Sequence, residues 1–241
     1  MPTAQLGTAT IRYDDAGDGP AVLLLAPGGL RASRVETWSA APFNPVEVLT
    51  GRFRTIAMDQ RNTGTSFAPI TAADGWDTYA ADQLALMDHL GIERFAVVGM
   101  CIGGAFIAKL LTVAPQRITA AVAMQPIGLD ANRDTFEELY ATWRDGVQGE
   151  HPEAGDADWQ GCHDNLFAND NYLWSVPDDA VARIDRPLLV LRGNDQFHPA
   201  AVSERMAADV PGAKLIVEWK EGDHVAAARA EVERFLTANA S

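Results

Sequence analysis

Cys101 sits in the segment Gly99-Met100-Cys101-Ile102-Gly103-Gly104, between the β-rich run Phe95 to Val98 and the apolar helical run Ala105 to Val113. A strand that reverses into a helix over so few residues forces its central residue into a strained conformation with the side chain exposed. Glycines two positions before and after relieve the crowding. The thiol would stand at a helix N-terminus, where the partial positive charge favours thiolate. The chemistry expected is nucleophilic attack on an electrophilic carbon.

A nucleophile of this kind needs a base, an orienting carboxylate and a place for developing negative charge. His224, in Gly222-Asp223-His224 after the run Lys214 to Trp219, is the expected base. Asp195, in Gly193-Asn194-Asp195 after Pro187 to Leu191, is expected to orient it, giving the chain order Cys–Asp–His. His198 is the rival base; its position before Pro199 favours a turn or helix-start role instead. The oxyanion donors are expected to be the N–H groups of Ile102 and of Gly29, with Leu30 as alternative to Gly29. Leu30, Trp143, Phe167, Tyr172 and Trp174 are the candidate pocket residues. His89 reads as a helix-face residue, His151 and His163 fall in the central segment, and the five histidines show no zinc spacing. Neither a metal nor an organic cofactor is called for. Asp59 and Arg61 are read as tying down their own loop by mutual hydrogen bonds. Glu36 could face the thiol by location alone, and Cys162 reads as an unremarkable cap residue.

The elements that must position these residues alternate. Thr8 to Tyr13 is expected as an edge strand. Ala21 to Ala26 is a continuous apolar run suited to the middle of a parallel sheet, ending in the loop Pro27-Gly28-Gly29. Phe53 to Met58 is a strand, Tyr79 to Leu90 an amphipathic helix stopped by Gly91, and Thr119 to Met124 a buried strand. From about 125 to 185 the texture changes, with tryptophans among acids, glycines and prolines. That stretch is expected to be a cap of short helices inserted in one domain. A helix over about Ala200 to Ala208, a last strand Lys214 to Trp219 and a closing helix Ala226 to Leu236 complete the pattern. Strands alternating with helices mean an α/β fold with a mostly parallel, doubly wound sheet.

The chain has 241 residues, a net charge of −14 and 47% hydrophobic residues, enough to bury one sizeable core. Its acidity disfavours nucleic acid as a partner. Two cysteines are too few for a disulfide framework. No apolar run reaches the roughly 18 residues that cross a bilayer, and no N-terminal signal pattern appears. The expectation is a soluble, cytoplasmic protein acting on a small-molecule acyl substrate without membrane association; the oligomeric state is not readable.

Together these residues resemble the α/β-hydrolase superfamily across nearly the whole chain. The matching pieces are Leu25-Ala26-Pro27-Gly28-Gly29, Met58 to Ser66, Gly99 to Gly104, Gly193-Asn194-Asp195 and Asp223-His224. The Asp59-Gln60-Arg61 loop is similar to that of the haloperoxidase and proline-iminopeptidase-like branches. Pro27 replaces their usual histidine and Cys101 their serine. A cysteine elbow is similar to that of dienelactone hydrolases, which use Cys-Asp-His but lack that loop, and to that of the much longer polyhydroxyalkanoate synthases. The resemblance implies hydrolysis of an ester, lactone or thioester through a covalent thioester acyl-enzyme. Acyl transfer by the same triad, or ligand binding without catalysis, are the alternatives.

Overall fold

The computed structural model describes residues 1–240. The apolar run after the first turn cluster forms β3 (Ala21–Leu25), and its neighbours show why it is continuously apolar. Leu23 and Leu25 enter one hydrophobic core while Val22 and Leu24 enter a second on the opposite face. Successive strand side chains point to opposite faces, so a strand covered on both sides has no polar position to spare.

Eight strands make one sheet in the order β1-β2-β4-β3-β5-β6-β7-β8. β1 (Thr3–Leu6) and β2 (Ala9–Ala16) run antiparallel to their neighbours. β4 (Arg54–Met58), β5 (Phe95–Met100), β6 (Ile118–Met124), β7 (Leu188–Leu191) and β8 (Lys214–Ile216) continue β3 in parallel. The single edge strand expected over Thr8 to Tyr13 is instead a hairpin: Gly7, at φ 60°, turns β1 into β2, and β1 is the edge. β8 ends at Ile216, short of the expected Trp219.

The helices are α1 (Gly29–Ala32), α2 (Pro45–Leu49), α3 (Trp76–His89), α4 (Ile102–Val113), α5 (Arg133–Val147), α6 (Asp156–Phe167), α7 (Asp178–Val181), α8 (Ala200–Asp209) and α9 (Asp223–Ala238). α5, α6 and α7 lie between β6 and β7, in the stretch read as a cap. α5 is longer than the short helices expected there. Its buried residues Phe136, Tyr140 and Trp143 fall four and then three apart, the spacing of one helix face. They pack with Trp159, Phe167 and Trp174 into an aromatic cluster, with Trp143 and Trp159 edge to face at 5.6 Å between centroids.

Chain order decides where a ligand can sit. From β3 the chain moves to β4 on one side, then crosses to β5 on the other. The crevice between the C-terminal ends of β3 and β5 is the switch point at which such sheets bind ligands. The Pro27-Gly28-Gly29 loop leaves β3 there, and Cys101 leaves β5.

The loop after β4 is held by buried charge. Arg61 does not bond to Asp59; its guanidinium donates to Asp82 at 2.7 and 3.1 Å and to Asp74 at 2.9 Å. Burial pushes the Asp82 carboxyl up, and Arg61 opposes that shift. Asp59 instead accepts from the Val35 N–H at 2.8 Å and lies 3.4 Å from Arg12. The expected structural role therefore holds for the loop but not for the partners. No helix of the described residues is long and apolar enough to cross a membrane.

Candidate active site

Cys101 joins β5 to α4 with φ 61° and ψ −119°, a left-handed backbone that a non-glycine residue adopts only when its surroundings enforce it. The enforcement is visible. The Cys101 N–H donates to the Met124 carbonyl at 3.0 Å, and the Cys101 carbonyl accepts from Ile127 at 3.1 Å. A side chain at Gly99 would meet the Gly103 backbone at 2.7 Å, and one at Gly103 would meet the Leu25 carbonyl at 2.7 Å. The glycine frame is therefore the close packing of β5, α4 and β3 around one sharp turn.

The imidazole beside this thiol is His198. Its Nδ1 lies 2.8 and 2.9 Å from the two carboxylate oxygens of Asp195. An ionised carboxylate only accepts, so Nδ1–H donates and Nε2 faces the thiol. Nε2 is buried and has no hydrogen-bond partner among the described residues, and His198 and Cys101 line one cavity. Burial opposes charge on both groups. Their mutual attraction outweighs it: the His198 pKa is raised and the Cys101 pKa is lowered, the latter helped by the N–H groups of Gly28 and Ile102. Burial also opposes charge on Asp195, yet its bonds to His198 leave its pKa below the usual carboxylate range. Both shifts run in the direction that a thiolate–imidazolium pair requires.

Asp195 and His198 share one closed turn. The Asp195 carboxylate also accepts from the N–H groups of Phe197 at 3.0 Å and His198 at 3.1 Å, and the backbones of Asp195 and His198 bond to each other in both directions. Gly193 permits it, since a Cβ there would collide with the His198 carbonyl. Pro199 then caps α8.

His224, the expected base, is not brought to this site. Asp223 and His224 do not form a loop; they open the first turn of α9, where His224 is exposed and makes no side-chain hydrogen bond among the described residues. The segment after β8 delivers Lys220 instead, whose Nζ donates to Asn194 at 2.6 Å beside Asp195. The backbone N–H groups of Gly28 and Ile102 help to lower the Cys101 pKa, and Gly29, the expected first-loop oxyanion donor, lines the cavity beside them. Gly28 has φ 125°, and a Cβ on it would collide with the Ala32 carbonyl. Leu30 is buried in the core below α1.

Above Cys101 is a cavity of about 230 Å³, lined by Ile127, Phe136, Leu139, Phe167 and Phe197 together with Gly28, Gly29, Ile102 and His198. Of the expected pocket residues only Phe167 reaches it. Trp143 and Trp174 are buried in the aromatic packing behind the wall, and Tyr172 is buried with its ring under the Arg205 guanidinium. Glu36 lies 3.6 Å from Arg12 and is largely exposed. Cys162 is buried against Tyr140, and burial pushes its thiol up to about 12, which makes it inert.

Known proteins share this fold. The family model for the alpha/beta hydrolase fold matches residues 21–161, more than half of the chain, and the protein belongs to that family. A Mycobacterium tuberculosis protein that carries the name of a non-heme bromoperoxidase is 33% identical over 142 residues; the match takes in 57% of this chain and 51% of the relative, about half its length. A carboxylesterase of Bacillus subtilis is 25% identical over 87% of this chain and 76% of its own. Among solved structures, the enol-lactonase of Burkholderia xenovorans superposes with a TM-score of 0.72 at 22% identity, covering 98% of this chain and all of that one.

Proposed function

We propose that the protein hydrolyses an ester, lactone or thioester of a small molecule through Cys101, His198 and Asp195. The observation that carries this reading is the convergence on one sulfur of a strained turn, a carboxylate-held imidazole and two backbone N–H groups. The thiolate attacks the acyl carbon; a C–S bond forms, and the oxyanion is held by the N–H groups of Gly28 and Ile102. The bond to the leaving group breaks as His198 passes it a proton. Water then attacks the thioester, giving its proton to His198, and the acid leaves with Cys101 restored as thiolate.

The carboxylesterase relative supports the bond type. The elbow's likeness to that of dienelactone hydrolases supports sulfur as the attacking atom. A thiolate is itself a good leaving group, so this chemistry suits activated substrates such as enol lactones and thioesters. In the test, Cys101→Ala is assayed on a panel of esters, lactones and thioesters. A fall of roughly 10³-fold or more in kcat/KM is expected, and undiminished turnover would sink the proposal.

A further inference from the structure

The wall of the cavity above Cys101 defines the acyl group. We propose, resting on the hydrolase reading above, that the group transferred to Cys101 is an uncharged single-ring aromatic acyl of benzoyl size. Phe136, Phe167 and Phe197 would surround the ring, and the polar part of the substrate would lie outside.

Three observations lead there. The first is size. An apolar cavity of about 150 Å³ accommodates benzene, and this one, at about 230 Å³, has room for one ring, its carbonyl and little more. A long alkyl chain does not fit.

The second is shape and surface. Phe136 packs at 5.6 Å on Phe167 with its ring tilted, and edge to face at 6.4 Å on Phe197. Both geometries leave ring edges and faces available to a fourth aromatic ring, and Ile102, Ile127 and Leu139 close the remaining sides.

The third is charge. Among the described residues no lysine or arginine lines the cavity, and the His198 ring is already matched by Asp195. A carboxylate on the acyl group would be buried without a partner, which is costly. Polar groups begin outside it. A recess of about 430 Å³ shares Gly28, Leu139 and Phe197 with the cavity and adds Arg31, Glu138 and Gln196. The leaving group belongs in this recess.

The transfer balances as before. The carbonyl carbon gains a bond to Cys101 Sγ and loses its bond to the leaving thiol, which takes the His198 proton.

The full chain would be mixed with acetyl, benzoyl, succinyl and dodecanoyl thioesters of one thiol. Acylation of Cys101 would be followed by mass, each rate divided by that of the same thioester with free N-acetylcysteine. Benzoyl is expected to exceed acetyl by roughly tenfold, and succinyl and dodecanoyl by roughly a hundredfold. Leu139→Arg, which puts a cation in the wall, is expected to raise succinyl relative to benzoyl. Phe136→Leu is expected to lower benzoyl relative to dodecanoyl. Succinyl or dodecanoyl acylating Cys101 as fast as benzoyl would overturn the proposal and leave the hydrolase reading standing. If no thioester acylates Cys101, both fall together.

Discussion

Asp195 holds the His198 imidazole at 2.8 Å although the two residues are only three apart in one loop. In the proposed mechanism the carboxylate and the base would therefore both come from a single turn after β7, with neither drawn from the segment after β8. That economy has a kinetic consequence. His198→Ala should lower kcat/KM on an activated aryl ester by roughly 10²–10⁴-fold, the range for loss of a general acid–base. His224→Ala, on the exposed face of α9, should stay within about twofold, as surface changes usually do. A large loss on removing His224 instead would restore it as the base.

The thiol should titrate abnormally. Cys101 is shifted downward, so its thiolate persists below the ordinary thiol range near ~8.5. Alkylation by iodoacetamide should stay fast as the pH falls through that range and slow only below it. His198→Ala removes the partner and leaves burial in place, so the inflection should move upward. An inflection already at the ordinary value in the unaltered protein would count against the ion pair.

Gly28 should tolerate no side chain. Its φ of 125° opposes alanine, and so does the Ala32 carbonyl, which occupies the space a Cβ would need. Gly28→Ala should cost about 1–3 kcal/mol in a urea melt and, if its N–H serves the oxyanion as proposed, lower kcat more than it changes KM. Gly146→Ala, where a Cβ meets nothing within 4 Å, is the control.

The buried Arg61 site should be intolerant of half-removal. Arg61→Met leaves Asp74 and Asp82 facing each other without a cation, and about 3–5 kcal/mol of stability should go. Chemical denaturation measures it directly. A loss under about 1 kcal/mol would mean that water reaches the carboxylates.

What can be read from residues alone is what is local. The sharp strand-to-helix turn at Cys101 is legible because its glycines lie within a few residues of it. β3 is legible because burial on both faces leaves an unbroken apolar run. Strand order points to His224 in the segment after β8, which the fold leaves exposed, whereas the imidazole that lines the cavity is His198. The competing signal is present in Gly193, Asp195 and Pro199, a glycine for close approach, an Asx turn and a helix cap. Together they close the turn that presents His198. Of the three phenyl rings at the cavity only Phe167 is anticipated from the sequence, since Phe136, Phe167 and Phe197 come from α5, α6 and the loop after β7 and meet only in three dimensions.

Because one turn carries both Asp195 and His198, with side-chain and backbone bonds between them, a displacement of that turn would carry the two together. Breathing of the loop after β7 would change the gap between Nε2 and sulfur while the imidazole–carboxylate bond stays intact. Loop motion would therefore act as a throttle on the population of reactive thiolate, with the ring's orientation and tautomer conserved throughout the stroke.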